Sequence, residues 1–297
     1  MLSFDYTDVS DTRCGGVLVE QSELLNAFTL PITHNANAKH GRADTSFTDR
    51  RMSVDPGWHG GLSSTREVSD MLVKGWVDGG ERALALATEI TDSLDSDVDE
   101  IRRKLAWSDT GDDVDIQRLY TGDWDKAFSS MRPAKRLGRQ HVTIVQQWGG
   151  HTNISAEALF WGGAATIAMS DILEDAGYTV EAWTMSVARQ DCGENAIVVL
   201  QTKEPDLPIV PDMLAATIGH AATFRTLGFR TRLCTNVEID ESMGGTIAVT
   251  RAVADEVAQA LDTDYGSTVV VFDHCYSRSA AVQQLTDNIK QLETHKE

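Results

Sequence analysis

The sequence predicts an α/β protein: a three-layer sandwich with a mainly parallel sheet, preceded by a smaller helical N-terminal region. Three observations predict it. Buried-strand composition recurs in "QHVTIVQQW", "YTVEAWTMSVA", "NAIVVLQTKEP" and "STVVVFDHCYS". Long helical patterns stand between most of these runs. The chain of 297 residues is 41% apolar, enough to fill a core of that size. We divide it into an irregular N-terminal arm (1–57), a small helical module (58–135) and an α/β domain (136–297).

In the arm, "VLVEQSELLNAFTL" fits one strand or one helix, while "PITHNANAKHGRADTSFTDRRMSVDPG" is polar, turn-rich and nearly without core residues. The module opens with "WHGGLSSTREVSDMLVKGWVDGGERALALATEITDSL". Here Ser63 or Ser64 caps a first helix carrying Val68, Met71 and Leu72, and Leu84, Leu86 and Ile90 recur at helical spacing in a second. Trp58 and Trp76, each beside glycines, read as aromatic packing rather than as a ligand cage. The acidic stretch from Asp92 to Phe128 has Asp-rich turns but no DxDxDG spacing with a closing Glu, so it reads as a solvated surface rather than a calcium loop. "RPAKRLGR" gathers Arg132, Lys135, Arg136 and Arg139 and reads as a solvated linker.

The second half carries more information. "QHVTIVQQW" is a buried strand, and "ISAEALFWGGAATIAMSDILEDAG" is a helix whose apolar residues nearly circle it before the capping Gly177. Only a helix covered on most sides tolerates that pattern. The next two strands are joined by the short polar "RQDCGE", which makes residues 178–188 and 195–203 an antiparallel hairpin instead of a helical crossover. "PDMLAATIGHAATFRTLGF" follows as one helix, with Pro211 in its first turn and Gly228 near its end. A glycine turn and helix in "GGTIAVTRAVADEVAQAL", the buried strand "STVVVFDHCYS" and an amphipathic closing helix complete the order.

Charge narrows the function classes. With 26 basic and 45 acidic residues the net charge is −19, which repels nucleic-acid phosphates and anionic membranes. No run approaches the ~18 consecutive apolar residues of a membrane span, and "MLSFDYTDVSDTR" has no apolar stretch of a secretory signal. Cys14, Cys192, Cys234 and Cys275 are scattered without a CxxC pair, as for reduced thiols. The expected location is the cytoplasm.

Strand, helix, strand, antiparallel strand, helix is the opening order of von Willebrand factor A-like domains, and residues 141–290 resemble one, a Rossmann-like sandwich. The segments "WHGG" to "GWVDGGERA", "LYTGDWDKAF" and "FWGGAATIAMSDILEDAGYTVEAW" together resemble a family of bacteriophage-encoded proteins of unknown function. That resemblance implies a phage or prophage origin and no assigned activity.

A metal-binding von Willebrand A domain carries DxSxS at the end of its first strand and an Asp after its fourth, surrounding a hard Mg²⁺ with oxygens. This chain has "QQWGGHTNIS" there. The leading Asp is absent, leaving Thr152 and Ser155 as hydroxyl donors and His151 as a nitrogen donor. Asp273 in "VVVFDHC" stands where such domains carry an acid, so at most a weak Mg²⁺ site is expected and no cofactor. The loop then reads as a shaped surface: Gly149 and Gly150 make the turn, Asn153 caps the helix, and Trp148 is an exposed contact or a core residue.

His151, Asp273, His274 and Cys275 converge, on this reading, at the carboxyl ends of the parallel strands, where open α/β sheets place ligands. A Cys275 nucleophile, or a metal held by His151, Asp273 and His274, is the enzyme alternative. Against it, Cys275 reads as an inert thiol, Asp273 and Ser277 as caps of the final helix, and His274 as solvent-facing. No GxSxG, Walker A, HExxH or GxGxxG motif supports catalysis. His220 in "IGHAATF" reads as a satisfied helical histidine. The leading expectation is a non-catalytic interaction or adaptor protein, with an AAA+ ATPase or an assembly of its own kind as partner. A metal-assisted hydrolase with a site around Asp273 is the alternative.

Overall fold

The computed structural model describes residues 1–8, 11–24, 45–93, 104–108, 113–114, 128–132, 141–205, 207–240, 243–261 and 268–294. In chain order these form β1 (Leu2–Thr7), β2 (Arg13–Glu20), α1 (Gln21–Leu24), α2 (Thr45–Val54), α3 (Thr65–Lys74) and α4 (Val77–Ser93). A three-stranded antiparallel sheet of β3 (Lys104–Ser108), β4 (Asp113–Val114) and β5 (Phe128–Arg132) follows. Then come β6 (His141–Gln147), α5 (Ala156–Asp175), β7 (Thr179–Arg189), β8 (Asn195–Lys203), two irregular helices, α6 over 211–219 and α7 over 221–232, β9 (Gly245–Ile247), α8 (Arg251–Ala260), β10 (Thr268–Phe272) and α9 (Arg278–Thr294). Lys135, Arg136, Arg139 and most of the acidic stretch lie outside the described residues, as do residues 25–44 of the arm. No helix among the described residues is long and apolar enough to cross a membrane.

The main sheet has seven strands in the order β1-β2-β8-β7-β6-β10, with β9 pairing to β7 beyond the end of β6. β6, β7 and β10 run parallel to one another, and β7 and β8 are antiparallel, as the "RQDCGE" hairpin predicts. Side chains alternate between two buried faces, which explains the nearly unbroken apolar composition of the central strands. Val142 and Ile144 of β6, Val180 and Ala182 of β7 and Val198 and Leu200 of β8 meet the thick helical layer. Val145, Trp183, Val187, Ile197 and Val199 share a cluster with Val249, just before α8, and with Ala254 and Val257 of α8.

α5 shows why its sequence is apolar all round. It lies between the sheet and the helices α4 and α6, burying Leu159, Phe160, Ile167, Met169 and Leu173. At Gly163 a Cβ would come 2.6 Å from the Gly219 Cα, so the two backbones touch where only glycine fits. Its end is a Schellman motif: Gly177, at φ +89°, donates to the Glu174 carbonyl, and the Tyr178 N–H reaches the Leu173 carbonyl at 3.0 Å.

Three features differ from the sequence reading. The first 20 residues of the expected arm supply two strands, β1 and β2, which extend the sheet beyond β8. Gly16 is a strand residue lying under the Phe4 ring, with no room for a side chain. The described helices of the 58–135 segment pack into the cores beside the main sheet. Val68 and Leu72 of α3 share a cluster with Val17 and Val198, and Leu86 and Ile90 of α4 share one with Ile144 and Phe160. Finally, the helix expected across 211–228 is broken at His220 into two pieces containing π-helical turns at Ala215–Gly219 and Phe224–Gly228. His220 is extended (φ −89°, ψ 124°), and its Nδ1 accepts from the Ala222 N–H at 3.2 Å, so the side chain itself caps the second piece. Gly228 lies within that piece, pressed against the Trp148 ring, and the helix runs on to Arg232.

Candidate functional site

The carboxyl end of β6 continues into the loop that the sequence singles out. The Trp148 N–H donates to the Met185 carbonyl at 2.7 Å, so strand pairing persists one residue past β6. Alternation then turns the Trp148 side chain to the same face as Ile144. It is 2% exposed, its ring 5.4 Å from that of Phe224 in an edge contact. The exposed-contact expectation for Trp148 is therefore corrected: it is a core residue. Gly149 follows at φ +96°, and a Cβ there would run into the Phe224 ring. A Cβ on Gly150 would sit 2.9 Å from the Tyr276 hydroxyl.

Beyond the glycines the chain is at the surface. His151, Thr152, Asn153 and Ser155 are exposed. The Ile154 N–H closes a turn on the His151 carbonyl at 3.0 Å, which places Asn153 inside the turn. The cap of α5 is consequently Ser155, whose Oγ accepts from the Ala158 N–H at 3.1 Å, and not Asn153.

Two sets of contacts hold this loop. On one side the Trp58 Nε1 donates to the Thr152 carbonyl at 3.0 Å. The buried guanidinium of Arg225 donates to the carbonyls of both Trp58 and Ile154 and lies 4.2 Å from the Trp58 ring centroid. Burial pushes the Arg225 pKa down to about 10, against the pull of Asp55. On the other side the Tyr276 hydroxyl donates to the Gly149 carbonyl at 3.0 Å and accepts from Gln147 Nε2 at 3.0 Å. Gln147 Oε1 in turn accepts from the Val249 N–H at 3.1 Å. One side chain pair thus joins the ends of β6 and β10 to the segment entering α8.

The sequence reading did not find Gln147, Tyr276, Trp58 or Arg225 as parts of this site. The available signal was Gln147, a polar residue in a buried strand, since a buried polar group needs partners.

Asp273 and His274 belong to the same end of the sheet. Their side chains are 44% and 50% exposed, with His274 Nδ1 3.8 Å from Asp273 Oδ2. His274 has φ +42° and its ring stands edge-on to Tyr276 at 5.8 Å. Cys275 turns the other way: it is 4% exposed, its thiol pointing to the Trp161 carbonyl at 3.7 Å. Burial, reinforced by Asp273, pushes its pKa up to about 12, so it is not available as a thiolate. Ser277 alone caps α9, its Oγ accepting from the Ala280 N–H at 3.1 Å. Asp273 takes part only through its carbonyl, which accepts from Gln284 Nε2 at 2.6 Å. His220 is remote in role, packed edge-on to Trp76 at 4.7 Å and against Gly60.

The Mg²⁺ that the von Willebrand A resemblance implies does not fit this donor set. Such an ion needs near-octahedral oxygen ligands including carboxylate, the loop offers no carboxylate, and Ser155 Oγ is committed to its cap. Among the described residues no three His, Cys, Asp or Glu side chains gather to hold a metal ion. The arrangement is a surface of hydroxyl, imidazole and carboxamide groups on a tied loop.

Comparison with known proteins found no matching curated protein and no matching solved structure. A family described as a domain of unknown function, DUF7192, matches residues 22–295, nearly the whole chain and all of the site above. This chain therefore belongs to the DUF7192 family of domains of unknown function.

Proposed function

We propose that this chain is a non-catalytic interaction or adaptor protein whose binding face is formed by residues 150–155 together with Asp273 and His274. The observation that carries the reading is the combination of exposed His151, Thr152 and Asn153 with a loop backbone fixed at Gly149, Thr152 and Ile154 by Tyr276, Trp58 and Arg225. A loop so fixed loses little conformational entropy when a partner docks. The buried Cys275 and the ill-fitting metal donors weigh against a hydrolase around Asp273.

The strand order β8-β7-β6-β10, with β8 antiparallel to β7, supports a von Willebrand factor A-like reading of residues 136–297. In that fold the carboxyl ends of β6 and β10 flank the ligand position. The partner is a protein, with an AAA+ ATPase as the first class to test and a second copy of this chain as the next. A photo-crosslinking residue at position 153 tests this. It should capture one defined protein in the native host, while the same residue at position 66, on the exposed face of α3, should not. Equal capture at both positions, or none at 153, overturns the reading.

A further inference from the structure

A second site lies at the opposite end of the sheet. β2 and β8 run parallel, from Cys14 opposite Asn195 to Glu20 opposite Gln201, and end side by side. The chain leaves both strands for helices, the arrangement that opens a crevice at the carboxyl ends of parallel strands. A cavity of about 380 Å³ occupies that crevice. This is within the usual range for small-molecule sites.

Its walls are mainly apolar: Leu24, Leu72, Met213 and Leu214 line it, and Leu207 and Val210 stand at its rim, 55% and 52% exposed. The polar lining side chains are mostly engaged within the protein. Gln21 Nε2 donates to Thr217 Oγ1 at 3.0 Å, Gln201 Nε2 to Glu181 Oε1 at 2.9 Å and Thr202 Oγ1 to the Ala182 carbonyl at 2.9 Å. The ammonium of Lys203 is spent on three acceptors: the carbonyls of Val180 and Glu204 at 2.6 and 3.2 Å and the Glu174 carboxylate at 2.7 Å. Among the described lining residues the other charged side chains, Glu20 and Glu204, are both carboxylates. The lining is thus an apolar pocket under a negative potential, in a chain of net charge −19.

We propose that this cavity binds a small apolar molecule carrying a cationic group, an alkyl- or arylammonium compound, with the apolar body against Leu24, Leu72 and Met213 and the cation toward Glu204. Carboxylates and phosphates are disfavoured, because among the described lining residues the one cation, Lys203, is already held by three acceptors.

The probes are n-octylammonium, octanol and octanoate, titrated into the full chain by calorimetry below their aggregation concentrations. Octylammonium should bind saturably and about tenfold or more tighter than octanoate, with octanol between them. Glu204→Gln should narrow that gap, and Met213→Trp should abolish binding of all three by filling the cavity. Should Met213→Trp fail to fold, Leu207→Arg at the exposed rim adds a cation and should weaken octylammonium while sparing octanol. The proposal is overturned if octylammonium shows no saturable binding, if octanoate binds as tightly, or if Leu207→Arg and Glu204→Gln leave the ratio of octylammonium to octanoate affinity unchanged.

Discussion

The guanidinium of Arg225 stands 4.2 Å from the ring centroid of Trp58 and donates to the Trp58 carbonyl, so one buried cation grips both ends of the same residue. Its other arm holds the Ile154 carbonyl. Three distant stretches of sequence meet there: the loop before α3, the loop before α5 and the broken helix α7. Arg225→Met keeps the stem but deletes the donors, leaving two carbonyls without them. It should cost about 3 kcal/mol in urea unfolding at pH 7. Arg225→Lys should recover little of this, since one ammonium does not reproduce a planar fork aimed at two carbonyls. Full recovery by Lys would show that charge alone matters at this position.

His220 supplies a pH dependence. Burial pushes its pKa down to about 4, with a bond to Gly60 pulling the other way. The unfolded chain binds a proton near pH 6.5 and the folded chain only near pH 4, so between these values the unfolded state holds more protons. Stability is therefore complete above about pH 6.5 and falls as the pH drops toward 4, by up to about 3 kcal/mol from this residue. His220→Gln should be less stable at pH 7, yet lose less between pH 7 and pH 4.5 than the natural chain. Parallel urea titrations of the two proteins measure that difference, and equal losses would remove His220 as the cause.

Trp148→Ala empties a site against Phe224 and Gly228 and should cost about 3 to 5 kcal/mol. A drop of that size in a circular dichroism melt separates a core tryptophan from a surface one. His151→Ala and Asn153→Ala, both exposed, should shift stability by less than about 0.5 kcal/mol. They are the variants with which to test contact by the loop.

Much of the fold was legible in the sequence, for identifiable reasons. The β7–β8 hairpin followed from "RQDCGE" being too short for a crossover, and Gly177 marked the end of α5 because only a left-handed residue closes a Schellman motif there. Trp148 was legible too: the alternation of Val142 and Ile144 already placed it inward, but the two following glycines drew attention to a loop. What local sequence did not carry was long-range contact. The strand at Gly16 is completed by Phe4, whose ring covers it from β1. "IGHAATF" looks like continuous helix until His220 turns back to cap Ala222 and meets Gly60, 160 positions earlier in numbering. The partners of Gln147 likewise lie at Val249 and Tyr276, more than 100 residues away.

The Gly163–Gly219 contact is open to a direct test. In Gly163→Ala the new methyl meets backbone, 2.6 Å from the Gly219 Cα and 2.8 Å from its nitrogen, so α5 and α6 must separate. In Gly162→Ala the nearest atom is Gln146 Nε2 at 3.1 Å, the end of a flexible side chain. Both gain the helix propensity of alanine, about 1 kcal/mol. Overpacking should outweigh it only at 163, for a net loss of about 1 to 2 kcal/mol there. If Gly162→Ala proves the more damaging, the helix contact is not where the limit lies.

Metal dependence decides between the interaction protein and the hydrolase. Asp273 is the one carboxylate that both readings share, and it faces solvent beside His274 with no second acid from the β6 loop. A lone exposed carboxylate holds Mg²⁺ too weakly to stabilise the fold, because stabilisation scales with the logarithm of ligand concentration over Kd. Millimolar Mg²⁺ or EDTA should therefore leave the melting temperature unchanged within error. Asp273→Ala should do the same, since its carboxylate is exposed beside His274 and the bond from Gln284 goes to its backbone carbonyl. A Mg²⁺-dependent rise in the melting temperature that Asp273→Ala abolishes would reverse the choice, placing a bound ion at the ends of β6 and β10 and making metal-assisted hydrolysis the better account of the site.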